Sequence, residues 1–257
     1  MEKKTLLITG CGGHFMADTI DCLRNQDVEF EIIGVASEPD PFIIPLCDQY
    51  IKVPKSTAPG YIYLLLDLCK RHHVDVLIPT IDNEILPLYS MREKFREIGT
   101  IVSADCAGRY GSDKIAFVEK LEELNLPHPK YKVIYSTQEF MDAARSIGYP
   151  MKNICAKLAD KAGSRGVRII RPDAFSYSQF ENKKPTSKFV DRSAFADTLE
   201  CKPSQTPVLL QEYLPGDEYS VDLLADHGKV ICATGRRNIV IDNSIPMESV
   251  LEWNEDA

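Results

Sequence analysis

The first third of the chain alternates between short apolar runs and longer segments with helical periodicity. Residues 14–25 and 61–72 place their apolar side chains on one face of a helix. Strands that alternate with helices form a mostly parallel sheet covered on both faces, so this region predicts a doubly wound α/β domain. The apolar runs typical of its buried strands are 5–9, 31–36, 50–54, 74–79 and 101–102.

From residue 112 onward the pattern changes to helices and antiparallel strands. Ser112 is the expected N-cap of a helix that ends before Pro127. Residues 137–147 predict a second helix. Segments 153–159 and 167–171 flank a short polar loop and predict a β-hairpin.

The last part of the chain combines a polar surface excursion with further strands. Residues 172–207 contain several prolines and predict a loop-rich segment with one helix near 189–201. A strand resumes at 208–210, and 218–225 with 229–235 predict a second hairpin.

Composition narrows the class of protein. The 257 residues carry a formal net charge of -8, which leaves no basic stripe for nucleic acid. No apolar stretch reaches the length of a membrane span, and the start lacks the pattern of a signal peptide. We therefore expect a cytoplasmic protein that binds neither nucleic acid nor membranes.

The eight cysteines are widely spaced and include no C-x-x-C pair, so reduced thiols are the simplest interpretation. Cys11 with His14, or the adjacent His72 and His73, would supply only two ligands each. We expect no metal site from these residues.

A glycine-rich turn follows the first strand at Gly10, Gly12 and Gly13. The dinucleotide fingerprint requires a third glycine where Phe15 stands, and Glu38 is a loose fit for its acidic residue. The turn therefore favours a structural role, with an NAD-dependent oxidoreductase as an alternative.

A lysine and a glycine-containing loop form the first candidate anion-binding site in the sequence. Lys157 lies in the first strand of the predicted hairpin, and its side chain is expected to face away from the apolar positions beside it. Glycine lets a backbone approach an oxyanion, and arginine adds a forked donor. Taken alone, the loop is also typical of an ordinary hairpin. Its residues are Gly163, Ser164, Arg165 and Gly166.

The strand at 208–210 continues into an extended segment that can offer backbone hydrogen bonds to an adenine edge. Glu218 follows a turn and could accept hydrogen bonds from both ribose hydroxyls. An exposed glutamate after a turn is the ordinary alternative. The residues of the extended segment are Gln211, Glu212, Tyr213 and Leu214.

In this order the elements resemble the ATP-grasp family, and within it the large subunits of carbamoyl phosphate synthetase. The resemblance also includes 75–80 followed by Asp82 and Glu84, and the pair Asp113 and Lys114. It implies a Rossmann-like pre-ATP-grasp domain at 1–110. An α+β ATP-grasp module at 111–257 would follow, with a lid at about 130–207 and part of the central sheet.

By resemblance, ATP lies between the lid and a larger sheet, and its γ-phosphoryl passes to a small carboxylate to give an acylphosphate. Lys114, Lys157 and the glycine loop would contact the phosphates. Gln211 to Leu214 would hold adenine, and Glu218 the ribose. Two strand arginines, Arg236 and Arg237, are candidates for the substrate or phosphate anion. No catalytic residue is assigned.

Two features depart from the family pattern. The glycine loop has few glycines, and the magnesium ligands of the family come late, as an acid followed by a Glu-x-Asn pair. We expect Glu252 to Glu255 not to lie beside a strand, so that Mg²⁺ ligands would lie beyond Ala257. An unfinished sheet would favour a homo-oligomer.

The predicted function is therefore an ATP-dependent carboxylate–amine or carboxylate–thiol ligase in the full-length protein. A catalytically silent nucleotide-binding or interaction protein is the alternative from a different class, motivated by the missing magnesium site.

Overall fold

The chain forms two compact units, Met1–Ser112 and Asp113–Ala257. Both are mixed α/β units whose strands belong to separate sheets. No described helix is long and apolar enough to cross a membrane. The computed structural model describes residues 3–13, 15–159, 166–171, 189–200, 207–226, 228–242 and 245–252.

The first unit is built on a five-stranded parallel sheet with the order β3-β2-β1-β4-β5. This order confirms the predicted doubly wound domain. Strands β2 and β3 are added on one side of β1, and β4 and β5 are added on the other side. The strands are β1 (Lys4–Ile8), β2 (Phe30–Ala36), β3 (Gln49–Lys52), β4 (Val76–Ile78) and β5 (Ile101–Val102).

Apolar side chains cover both faces of this sheet. Leu7 of β1 packs into one core cluster, while Leu6 and Ile8 pack into the other. The alternation of strand side chains produces this division, and helices complete both layers. The helices are α1 (Met16–Arg24), α2 (Tyr61–Arg71), α3 (Asp82–Glu97) and α4 (Gly108–Ser112).

The glycine turn after β1 is explained by contacts within the protein. Gly10 has a φ of 61°, and a Cβ there would lie 2.3 Å from the Thr80 hydroxyl. A Cβ at Gly12 would lie 2.4 Å from the carbonyl oxygen of Glu38. Both glycines are therefore needed for close packing, whether or not a ligand approaches the turn.

The second unit begins with a five-stranded sheet in the order β6-β10-β7-β8-β9. Strands β7 and β8 pair antiparallel, which confirms the first predicted hairpin. The strands are β6 (Tyr131–Ile134), β7 (Ile154–Leu158), β8 (Val167–Arg171), β9 (Phe189–Asp191) and β10 (Val208–Glu212), and the helices are α5 (Lys114–Glu123), α6 (Thr137–Ser146) and α7 (Arg192–Glu200).

The predicted N-cap of α5 is wrong by one residue. Asp113, with extended backbone, accepts hydrogen bonds from the N–H groups of Ile115 and Ala116 at 2.9 and 3.1 Å. Ser112 instead ends α4, and its hydroxyl donates to the carbonyl of Gly108 at 3.2 Å. The Asp113 carboxylate can reach the N–H groups two and three residues further along, which is the geometry of an N-cap. The Ser112 hydroxyl is already engaged by the Gly108 carbonyl.

A third sheet is an antiparallel meander of β11 (Glu218–Asp226), β12 (Lys229–Asp242) and β13 (Ile245–Leu251). The expectation that no strand precedes Glu252 is wrong, because Glu252 directly follows β13. The rest of that Glu-x-Asn segment, 253–257, lies outside the described residues. Apolar side chains such as Leu223 and Val250 are exposed on one face, and self-association through this face stays a prediction.

Candidate functional site

The two faces of the sheet β6-β10-β7-β8-β9 differ in chemistry. Ile154, Ala156 and Leu210 face a core completed by α6 and α7. Lys157 pairs with Leu209, so both side chains lie on the opposite face. The lysine is thus directed away from the core, as its position in the apolar alternation indicates.

On that opposite face, Lys157 is a partly exposed cation. Within the described part of the chain, its Nζ makes no hydrogen bond or ion pair. Holding a lysine in this state costs side-chain entropy and part of its hydration. An anionic ligand would offset both costs, which makes this face a candidate phosphate site.

The start of α5 lies beside the same strand. The backbone N–H of Lys114 donates to the carbonyl of Ala159 at 3.5 Å, one residue beyond the end of β7. The other end of the helix is tied to β6, where the Tyr131 hydroxyl donates to Glu122 at 2.5 Å. This bond raises the pKa of Tyr131 to about 12. The structure therefore brings Lys114 close to the end of the strand that carries Lys157.

The loop between β7 and β8 is described only at its end. Gly166 has a φ of 75°, and its carbonyl accepts the N–H of Leu158 at 3.0 Å. A Cβ at Gly166 would lie 2.8 Å from the Leu158 side chain, so this glycine closes the hairpin. The remaining predicted phosphate contacts, Gly163, Ser164 and Arg165, lie outside the described residues.

The predicted adenine segment continues β10. Gln211 is buried and lies across from Cys155, on the Lys157 face. The carboxylate of Glu212 accepts the Lys130 N–H at 3.1 Å and lies 3.8 Å from the Lys152 ammonium. The Glu212 side chain is therefore engaged within the protein, which leaves backbone groups as the means of contacting a base.

Strand β10 ends at Glu212, and the chain then continues outside regular secondary structure. The N–H of Tyr213 donates to the Asn153 carbonyl at 3.2 Å. The next residue, Leu214, is 64% exposed, and its N–H donates to no other described residue. A free N–H at the end of a strand is the type of group that binds the acceptor edge of a base.

The third sheet carries the remaining predicted residues on two faces. Glu218 lies across from Asn238, and Ser220 across from Arg236, so these four share one face. Arg236 lies 3.5 Å from a carboxylate oxygen of Asp222, and no described residue accepts a hydrogen bond from its buried Nε.

Arg237 points to the other face. Its Nε donates to Glu252 at 2.7 Å, and its guanidinium lies 3.6 Å from Asp217. The hydrogen bond to Glu252 raises the pKa of Arg237. The structure thus separates the two arginines and leaves only Arg236 on the face of Glu218.

One polar residue in this sheet was missed by the sequence analysis. Asn238 is 7% exposed, and its amide donates to Glu218 at 3.0 Å and to Ser220 at 3.1 Å. Its carbonyl oxygen accepts the hydroxyl of Ser249 at 2.8 Å. An asparagine directly before the apolar run 239–241 is the signal that could have identified it.

The described residues do not supply a metal centre. No group of three or more His, Cys, Asp or Glu side chains lies together in that part of the chain. Glu252, the first residue of the Glu-x-Asn segment, is held by Arg237. The magnesium ligands expected from the family resemblance are therefore not identified among the described residues.

A cavity of about 270 Å³ lies on the core face of the sheet β6-β10-β7-β8-β9, away from Lys157. Its lining is mostly apolar and includes Ala156, Phe195 and Val208. It contains none of the predicted adenine or ribose contacts, and Gly166 is the one predicted phosphate contact among its described lining residues.

Two family models match the chain. "PylC-like, N-terminal domain" matches residues 6–103, and "ATP-grasp in the biosynthetic pathway with Ter operon" matches residues 204–253. The first match covers the parallel sheet from Leu6 onward, and the second covers β10 and all three strands of the third sheet.

Curated relatives are carbamoyl phosphate synthase large chains. That of Clostridium perfringens strain SM101 is 29% identical over 225 residues, which cover 86% of this chain and 19% of the relative. That of Clostridium acetobutylicum is 26% identical over 119 residues, 46% of this chain and 9% of the relative. The chain thus spans less than a fifth of the length of these relatives.

Solved structures show the same fold. N5-carboxyaminoimidazole synthetase from Staphylococcus aureus, complexed with ADP, has a TM-score of 0.64 at 12% identity. That alignment covers 96% of this chain and 57% of the synthetase. A biotin carboxylase–beta-gamma-ATP complex from Campylobacter jejuni has a TM-score of 0.62 at 16% identity, over 94% of this chain and 52% of the carboxylase.

The fold is therefore an N-terminal α/β domain followed by an ATP-grasp module. The two family models, the carbamoyl phosphate synthase relatives and the structural neighbours together support an ATP-grasp family member.

Proposed function

We propose that this chain binds ATP on the Lys157 face and belongs to an ATP-dependent ligase that activates a small carboxylate as an acylphosphate. The observation that carries the proposal is Lys157 itself, a partly exposed lysine without a partner among the described residues. The structural neighbours support the same function, because they include a complex with ADP and a beta-gamma-ATP complex.

The residues fit the parts of a nucleotide. Lys157 and Lys114 would hold phosphates, together with the segment from Gly163 to Gly166. The Leu214 N–H and the backbone beside it, from Gln211 to Tyr213, would bind adenine. Glu218 would accept the ribose hydroxyls.

The chemistry of the proposed reaction is phosphoryl transfer, which depends on position and charge neutralisation rather than on a covalent bond to the protein. Bound ATP supplies the phosphoryl group. In this chain Lys157 and Lys114 would orient the phosphates and neutralise part of their charge, and Arg236 would attract the anionic substrate. The lid that would exclude water is proposed to be 130–207, which includes β6 to β9.

ATP titration by calorimetry tests the proposal. Lys157→Ala is expected to weaken ATP binding by about 10- to 100-fold, because a hydrogen bond to a charged group contributes roughly 1.5–3 kcal/mol. Lys132→Ala is the matched control, since Lys132 lies across from Leu210 on the other face of the sheet. Equal affinities for the wild type and Lys157→Ala would refute the phosphate assignment. Binding without transfer to any carboxylate in the presence of Mg²⁺ would favour the silent nucleotide-binding alternative.

A further inference from the structure

Asn238 connects all three strands of the third sheet through its side chain. It lies on the central strand β12 and donates to Glu218 and Ser220 of β11, while Ser249 of β13 donates to its oxygen. The amide is buried, at 7% exposure, and three of its four hydrogen-bonding positions are occupied. This is an ordered polar network in a sheet whose other face is largely apolar.

The orientation of the amide follows from its partners. A carboxylate only accepts hydrogen bonds, so the Asn238 nitrogen must face Glu218, and the Asn238 oxygen is then left for the Ser249 hydroxyl. The network therefore has one direction, which runs from Ser249 through Asn238 to Glu218.

The hydrogen bond from Asn238 restricts the side chain of Glu218, which is exposed and would otherwise be flexible. A free glutamate samples many rotamers, and ordering it costs about 1–2 kcal/mol. The hydrogen bond of 3.0 Å from Asn238 holds the Oε1 atom, while Oε2 accepts no hydrogen bond from the described residues. Oε2 is thus presented in a defined position with both lone pairs available.

We propose that Asn238 is a positioning residue that makes Glu218 selective for the vicinal diol of ribose. The inference rests on the proposed function, since it takes Glu218 as the acid that meets the ribose of ATP. A carboxylate held at one oxygen can accept hydrogen bonds from both ribose hydroxyls in a fixed geometry. A mobile carboxylate must first be ordered by the ligand, and this entropy cost offsets part of the free energy gained from the hydroxyls. Its selectivity for ribose is therefore smaller. Selectivity for ribose over deoxyribose then depends on a residue that does not touch the nucleotide.

The test is a comparison of ATP with 2′-deoxyATP and 3′-deoxyATP, titrated into the wild type, Asn238→Ala and Ser249→Ala. The wild type is expected to prefer ATP by about tenfold, the value of one hydrogen bond to a charged group. In Asn238→Ala the preference is expected to fall to about twofold, while the affinity for the deoxynucleotides changes less than about twofold. Ser249→Ala, which releases Asn238 without removing it, is expected to show an intermediate preference.

Thr234→Ala is the matched control, because Thr234 lies on the same strand and face, across from Asp222. It is expected to retain the full preference, and circular dichroism checks that each variant is folded. Equal weakening of all three nucleotides in Asn238→Ala would indicate a purely structural role and overturn the inference, as would an unchanged preference. If the wild type binds no ATP, the proposed function fails as well, so the two failures are distinguishable.

Discussion

The backbone N–H of Lys114 donates to the carbonyl of Ala159, and this contact joins the first residue of α5 to the end of β7. The position of Lys114 thus depends on the start of a helix, which Asp113 caps through two N–H groups. Lys114, a predicted phosphate-binding residue, is therefore positioned by an N-cap at Asp113, whereas the sequence pattern predicts a cap at Ser112.

Asp113→Ala is expected to lower the free energy of unfolding by about 1 kcal/mol, the typical contribution of an N-cap. It should also weaken ATP binding several-fold, because the first turn of α5 would fray and release Lys114. Urea denaturation and ATP titration measure the two effects. Ser112→Ala is the control and should change stability by less than about 0.5 kcal/mol. A larger effect from Ser112→Ala than from Asp113→Ala would contradict the assignment of the cap.

Leu214 offers a way to test backbone recognition of adenine. Leu214→Pro removes the N–H, whereas Leu214→Ala removes only the side chain, which is 64% exposed. We expect Leu214→Pro to weaken ATP binding about tenfold and Leu214→Ala about twofold or less. Calorimetric titration separates the two. Similar losses in both variants would show that the side chain, and not the N–H, contributes to binding.

Local patterns were sufficient to predict most of the fold. Apolar runs such as 31–36 and the helical spacing of 61–72 correspond to β2 and α2, because burial on both sheet faces imposes those patterns. Helix α3 was not predicted; Pro87 lies within it, and few of its residues are buried. Tertiary packing supports such a helix where periodicity gives little signal.

Within the candidate site, the sequence was sufficient to predict the direction of a side chain where strand alternation alone determines it. The orientation of Lys157 follows from the alternation of Ile154, Ala156 and Leu158, and the pairing with Leu209 agrees with it. The Asn238 network joins positions 11 to 20 residues apart through pairing registers that no short pattern encodes. Strand alternation alone places Arg236 and Arg237 on opposite faces, but the pairing register is needed to show that Arg236 shares the face of Glu218.

The ionised carboxylate of Asp75 is expected to stabilise the first unit at neutral pH. It accepts the Thr5 N–H at 2.8 Å and the Lys4 ammonium at 3.0 Å, and the Thr5 N–H in particular lowers the pKa of its carboxyl. Since the folded-state pKa is below the unfolded value, its contribution is present above about pH 4 and lost as pH falls through the folded pKa. Asp75→Asn should therefore cost about 1 kcal/mol at pH 7 and less at pH 3, measured by urea denaturation. Asp67→Asn, at an exposed helix pair with Arg71, is the control and should change little at either pH.

The buried acid Glu84 gives the opposite dependence on pH. It is fully buried and accepts hydrogen bonds from the hydroxyls of Thr9 and Tyr61, but burial raises the pKa of its carboxyl. The folded state therefore favours the protonated acid, and stability falls as pH rises from the unfolded pKa through the folded one. Because the Tyr61 hydroxyl stabilises the charged form, Tyr61→Phe should destabilise the protein by about 1.5–3 kcal/mol at a pH above the raised pKa of Glu84 and by about 1 kcal/mol at a pH below it. Urea denaturation at both values measures this difference, with Tyr63→Phe as the exposed control on the same helix. A loss that is equal at both pH values would show that Tyr61 contributes packing and not a hydrogen bond to a carboxylate.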